Sequence, residues 1–188
     1  GLFDQSLLKK IDQFPTSKYL NEYKFNKNIP GETCKYWISA QEKINLDKKV
    51  KFFKTHNAFG KLNNYDFTNS QNSVGAVYIV RDPRNVITSV KNHYELDNDK
   101  ALKWMTNKKQ FVYDVEKVEE FGFSDFQFIS SWDMNYKSWK VQKKIPLKFI
   151  KYEDLLNETF FVSKEIIKFI NHVTNNKEKI NIAKLKNT

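Results

Sequence analysis

The chain has 188 residues, 40% hydrophobic and 15% aromatic, long enough for one domain with a real core. Its 32 Lys plus Arg against 22 Asp plus Glu give a net charge of +10, which favours anionic partners: nucleotides, acidic or sulfated glycans, or nucleic acid. A single cysteine, Cys34, excludes an intrachain disulfide and a zinc constellation, and no apolar run is long enough to span a membrane.

The lysines are scattered, with no long basic block, so most of them read as solvated surface. The lone thiol fits a reducing, cytoplasmic compartment. No internal repeat or linker divides the chain, and residues 1–188 read as a single domain.

In chain order, Leu7, Leu8 and Ile11 form an apolar helical stripe that Phe14-Pro15 ends. Thr16 or Ser17 caps a second short helix through Tyr19, Leu20 and Tyr23. Pro30-Gly31 is a turn. Residues 33–46 mix aromatic, apolar and polar positions without a clear period. Val50 to His56 predicts a short strand ending in the polar triplet Lys54-Thr55-His56, and residues 60–74 are loop-like.

Ala76 to Val80 is a short β-branched run and predicts a strand buried on both faces. Asp82 is a good N-cap, Pro83 suits the first helical position, and Val86, Ile87 and Val90 carry helical spacing to about His93-Tyr94. Asp97 to Met105 predicts a short helix. Residues 106–129 read as helical around Phe111, Val112, Val115 and Val118, then irregular after Gly122. Ser131 caps a helix whose Trp132, Tyr136 and Trp139 form a packing stripe. Leu147 to Tyr152 is a strand, Glu153 to Leu156 turns, and an amphipathic helix runs from about 158 to 170.

Strands alternating with long helical connections predict an α/β fold, a parallel β-sheet flanked by helices. Three strand ends carry chemistry: Lys54 with His56, Arg81, and Tyr152. In an open parallel sheet such ends share one edge and can face a single ligand. The two arginines, Arg81 and Arg84, fall in one tetrapeptide. Arg presents a planar fork of donors matched to phosphate or carboxylate. Arg81, beside a helix start, reads as an anion site, while Arg84 suits a pairing with a structural carboxylate.

Four pieces together resemble the sulfotransferases that use 3'-phosphoadenosine 5'-phosphosulfate. They are Lys54-Thr55-His56, the segment Tyr78 to Val86 with Ser89, Ser131-Trp132 through Trp139, and Lys151-Tyr152-Glu153-Asp154-Leu155. The resemblance spans roughly residues 50–170 and implies a P-loop-NTPase-like sulfotransferase fold. It implies that Arg81 and Ser89 hold the 3'-phosphate, that Tyr152 lies near the adenine, and that His56 is the general base. Lys54 would stabilise charge on the transferred group or the leaving phosphate, with no metal required. The acceptor would be a small molecule or carbohydrate bearing a hydroxyl or amine.

The family also opens with a strand and a glycine-containing loop for the 5'-phosphosulfate, and has a basic glycine-containing segment near its end. Neither is found here, so the chain reads as an incomplete fold, with weak or no activity expected of the 188 residues alone. An alternative is a non-catalytic nucleotide- or anionic-glycan-binding module that keeps the 3'-phosphate site. A nucleic-acid-binding domain is disfavoured by the missing basic block and stacking motif.

Overall fold

The structure is a computed structural model and describes residues 11–26, 28–113 and 126–176. Its first element is β1 (Asp12–Gln13), where helical spacing through Ile11 predicts a helix. The residue before a proline avoids the helical region, so the chain enters Phe14-Pro15 extended. Phe14 N–H then donates to the Lys54 carbonyl at 3.0 Å. Leu7 and Leu8 lie outside the described residues.

The short α1 (Ser17–Leu20) buries Leu20. A 3-10 turn over Glu32–Tyr36 follows Gly31, whose φ of +81° disfavours any side chain and where an added Cβ would crowd the Phe126 ring at 3.0 Å. It leads into α2 (Trp37–Ile44). This helix has no clear apolar period because a polar residue, Gln41, sits on its buried face. Gln41 donates to the Trp37 and Phe67 carbonyls and accepts from Thr68, which satisfies an amide in the core.

The strand β2 (Phe53–Lys54) runs parallel to β1. Within the loop-like 60–74 stretch lies a small hairpin, β3 (Lys61–Leu62) and β4 (Tyr65–Asp66). Asn63 and Asn64 turn it with positive φ, the conformation a two-residue hairpin turn needs. Two-residue strands are too short to show an alternation.

The strand β5 (Ala76–Val80) leads into α3 (Pro83–Tyr94), which Asp82 caps by accepting the Arg84 N–H at 2.9 Å. Next comes α4 (Asn98–Thr106), capped by Asp97 through the Lys100 N–H. Phe111 and Val112 are not helical. They form β6 (Phe111–Val112), antiparallel to β7 (Gln127–Phe128). A short apolar run fits a strand as well as a helix, and here the cross-strand partner decides. Val115, Val118 and Gly122 lie outside the described residues.

Then follow α5 (Trp132–Val141), β8 (Leu147–Lys151), α6 (Tyr152–Asn157) and α7 (Thr159–Val173). Glu153 to Leu156 are therefore a helix rather than a turn, and Tyr152 is its first residue. Ser131 precedes α5, but its hydroxyl bonds the Asp133 carboxylate at 2.7 Å instead of a backbone N–H.

The architecture is α/β. β5 and β8 run parallel over five residues, from Ala76 opposite Leu147 to Val80 opposite Lys151. Among the described residues the parallel strands form two ladders, β1–β2 and β5–β8, rather than one continuous sheet. β5 is covered on one face, where Tyr78 packs on Tyr136, Trp139 and Phe149. Ile79 is 50% exposed, so the strand is not buried on both faces.

The main core gathers Phe14, Leu20, Trp37, Phe67, Trp139 and Ile145. Trp139 thus packs inside, as its helical stripe predicts. A second cluster joins α3 to α4 through Val90, Ala101 and Met105, with Trp132 packed against it.

Candidate functional site

Arg81 is the residue after β5, and Tyr152 is the residue after β8. Because Val80 faces Lys151 across the ladder, the two side chains leave the carboxyl ends of neighbouring strands together. The Arg81 guanidinium carbon lies 4.9 Å from the Tyr152 ring centroid, in reach of a cation–π attraction. Its Nε is buried and has no hydrogen-bond partner. No carboxylate pairs with Arg81 among the described residues.

The nearby acids are engaged elsewhere. Asp82 caps α3 and holds Arg84, with Arg84 Nη2 2.5 Å from Oδ2. The Arg84 side chain and backbone N–H together pull the Asp82 carboxyl down to about 2. Glu153 accepts the Asp82 N–H at 3.3 Å. Arg84 is thus the arginine bound to a structural carboxylate, as its place in the tetrapeptide predicts, and Arg81 keeps its donors. Beside it lies the N-terminal end of the twelve-residue α3, whose first N–H groups are taken by Asp82: Pro83 has none, Arg84 N–H goes to the Asp82 carboxylate and Asn85 N–H to its carbonyl.

Ser89 lies about two turns into α3. It is exposed, and its hydroxyl has no partner among the described residues.

Lys54 and His56 sit at the carboxyl end of the other ladder; both keep solvent-exposed surface, while the neighbouring protein partly desolvates the His56 ring. Lys54 makes no ion pair among the described residues. The surrounding protein, then the charge of Lys54, push the His56 imidazole below its ordinary 6.5. A desolvated imidazole beside a cation prefers its neutral form, so the ring is a proton acceptor at neutral pH.

The loop that carries His56 is held from two sides. Gln127 on β7 accepts the His56 N–H at 2.8 Å, and Asn135 on α5 donates to the His56 carbonyl at 3.1 Å. Asn57 is 2% exposed; its Oδ1 accepts the Phe128 N–H and its carbonyl accepts Trp139 Nε1. Ser138 takes the Phe59 N–H at 2.9 Å. Sequence reasoning missed Gln127, Asn135 and Ser138. Their partners lie 71 to 79 positions away, and no local period marks them.

The structure therefore brings Arg81 and Tyr152 into contact and sets Lys54 beside His56. The two pairs are tied through Asn135, whose Oδ1 accepts the Tyr78 hydroxyl of β5 at 3.0 Å. An open cleft of about 420 Å³ runs between β5–β8 and the helices α6 and α7, lined by Val80, Tyr136, Lys151, Asp154 and Phe161. Among the described residues, no three of His, Cys, Asp and Glu gather as a metal site, and no helix is long and apolar enough to cross a membrane.

A family model described as the sulfotransferase domain matches residues 5–187. The chain belongs to the sulfotransferase domain family. No curated protein matches it. Membership makes sulfuryl transfer the general chemistry of the chain and accords with its α/β architecture.

Proposed function

We propose that this sulfotransferase-family protein takes its sulfuryl group from 3'-phosphoadenosine 5'-phosphosulfate and delivers it to a hydroxyl or amine of a small-molecule or carbohydrate acceptor. The observation that carries the reading is Arg81. It is a guanidinium at a strand end with a buried, partnerless Nε, spared from the acids around it by the Asp82–Arg84 pair. A buried donor without a partner is costly, and a phosphate oxygen would satisfy it. The residues present thus fit the nucleotide's 3'-phosphate.

In this reading Arg81 and the free hydroxyl of Ser89 hold the 3'-phosphate, and Tyr152 lies near the adenine. Residues 1–188 act as one domain. His56, neutral at pH 7, takes the proton from the acceptor as its oxygen or nitrogen bonds to sulfur. The bond from sulfur to the bridging oxygen of the 5'-phosphate breaks, and its electron pair leaves with that oxygen. Lys54 meets the negative charge that grows there.

Two measurements test this. Calorimetry with adenosine 3',5'-bisphosphate and with adenosine 5'-phosphate should favour the bisphosphate, and Arg81→Met should remove the difference. Transfer of labelled sulfate from the donor to a panel of phenols, alcohols, amines and sugars should fall about 10²- to 10⁴-fold in His56→Ala. Bisphosphate binding should survive that change. Equal affinity for the two nucleotides overturns the donor site. Binding with no transfer by the full-length protein that carries this chain would leave the non-catalytic nucleotide-binding module instead.

A further inference from the structure

Asn135 spends both of its side-chain donors and accepts one hydrogen bond. Its amide donates to the His56 carbonyl at 3.1 Å and to the Ile129 carbonyl at 2.8 Å, and its Oδ1 accepts the Tyr78 hydroxyl at 3.0 Å. An amide has two N–H donors, and both are used on backbone. The partners lie 79, 6 and 57 positions away in the chain. One side chain therefore joins the loop after β2, the loop before α5 and the middle of β5.

Two of those places belong to the site. His56 lies two residues beyond β2, and Tyr78 lies on β5, three residues before Arg81. Burial pushes the Tyr78 hydroxyl up to about 12, so it stays a donor throughout the working pH range. The backbone of His56 is clamped at both ends by side chains, Gln127 at its N–H and Asn135 at its C=O. Its ring makes no hydrogen bond among the described residues and remains available.

We infer that Asn135 is a positioning residue, which fixes the His56 imidazole relative to the strand that ends in Arg81. The inference rests on the reading of His56 as the base. Asn135 itself has no donor left for a substrate. Aspartate has the same shape but would set a charge against two carbonyl oxygens and could donate to neither. Tyr78→Phe would remove the tie to β5 alone.

The test uses Asn135→Asp and Tyr78→Phe, with Thr68→Val as a control. Thr68 loses buried bonds to Gln41 and Ser73 and stands apart from this network. The chain has three histidines, so the His56 ring signal can be assigned by NMR from a His56→Gln spectrum. In Asn135→Asp its titration midpoint should shift from the unaltered protein's value, and in Tyr78→Phe it should shift by less. In Thr68→Val it should stay in place even where thermal stability falls. On the best acceptor of the panel, kcat should drop about a hundredfold in Asn135→Asp, the scale of a small misplacement of a reacting group. Affinity for adenosine 3',5'-bisphosphate should be unchanged.

An unmoved His56 titration in a folded Asn135→Asp protein overturns the inference whatever the activity. So does a loss of bisphosphate affinity as large as the loss of kcat. Failure of the base reading appears differently, as transfer that survives His56→Ala.

Discussion

Arg81 and Arg84 stand three residues apart and do opposite work. Arg84 is 89% exposed and spends its fork on Asp82, while Arg81 lies over Tyr152 with an unmet donor. Arg81→Lys keeps the charge but loses the planar fork, so affinity for adenosine 3',5'-bisphosphate should fall by about tenfold or more in calorimetry. Arg84→Lys should leave it nearly unchanged. His56 sets a second expectation. Its pKa lies below 6.5 through partial desolvation and Lys54, so the acid limb of kcat/KM should break below 6.5 with unit slope. Lys54→Met should move that break upward. The sign for stability is the same: the folded protein binds this proton less readily than the unfolded chain, so His56 costs stability as pH falls below 6.5.

Among the elements, α3 shows which signals are local. Asp82, Pro83 and the spacing of Val86, Ile87 and Val90 lie within one stretch, and the helix forms over Pro83–Tyr94. Asp82→Ala removes the cap and the partner of Arg84 together. It should lower Tm at neutral pH, and the gap should close as pH falls from 3.8 through about 2, where the folded-state carboxylate of the unaltered protein protonates. The loop after His56 depends on distant partners instead. Asn57→Ala strips the Phe128 N–H of its acceptor, which should cost about 1–3 kcal/mol in denaturant unfolding. β6 escapes a local reading for the same reason: the residue that makes Phe111 a strand is Phe128, and spacing within the segment carries no word of it.

At the scale of the whole molecule, two of the buried clusters among the described residues share no buried members. Ile145→Val in the main core should cost about 0.5–1.5 kcal/mol and Met105→Ala in the second about 2–5 kcal/mol. The double variant should equal their sum within about 0.5 kcal/mol, since distant sites add; a larger deviation in urea unfolding would show the clusters to be one.

The α/β class, the helix after Arg81 and the strands at Ala76–Val80 and near Leu147 are legible from residue order, because caps, prolines and apolar periods act over a turn or a few residues; the roles proposed for Lys54, His56, Arg81, Ser89 and Tyr152 rest on the resemblance of their motifs. The contact of Arg81 with Tyr152, the sparing of Arg81 by the Asp82–Arg84 pair, the division into two ladders and the clamp of Gln127 and Asn135 on His56 were settled by folding. Each of these depends on which distant segments meet, or on which of several equally close partners a charge selects. Local order along a chain leaves both choices open.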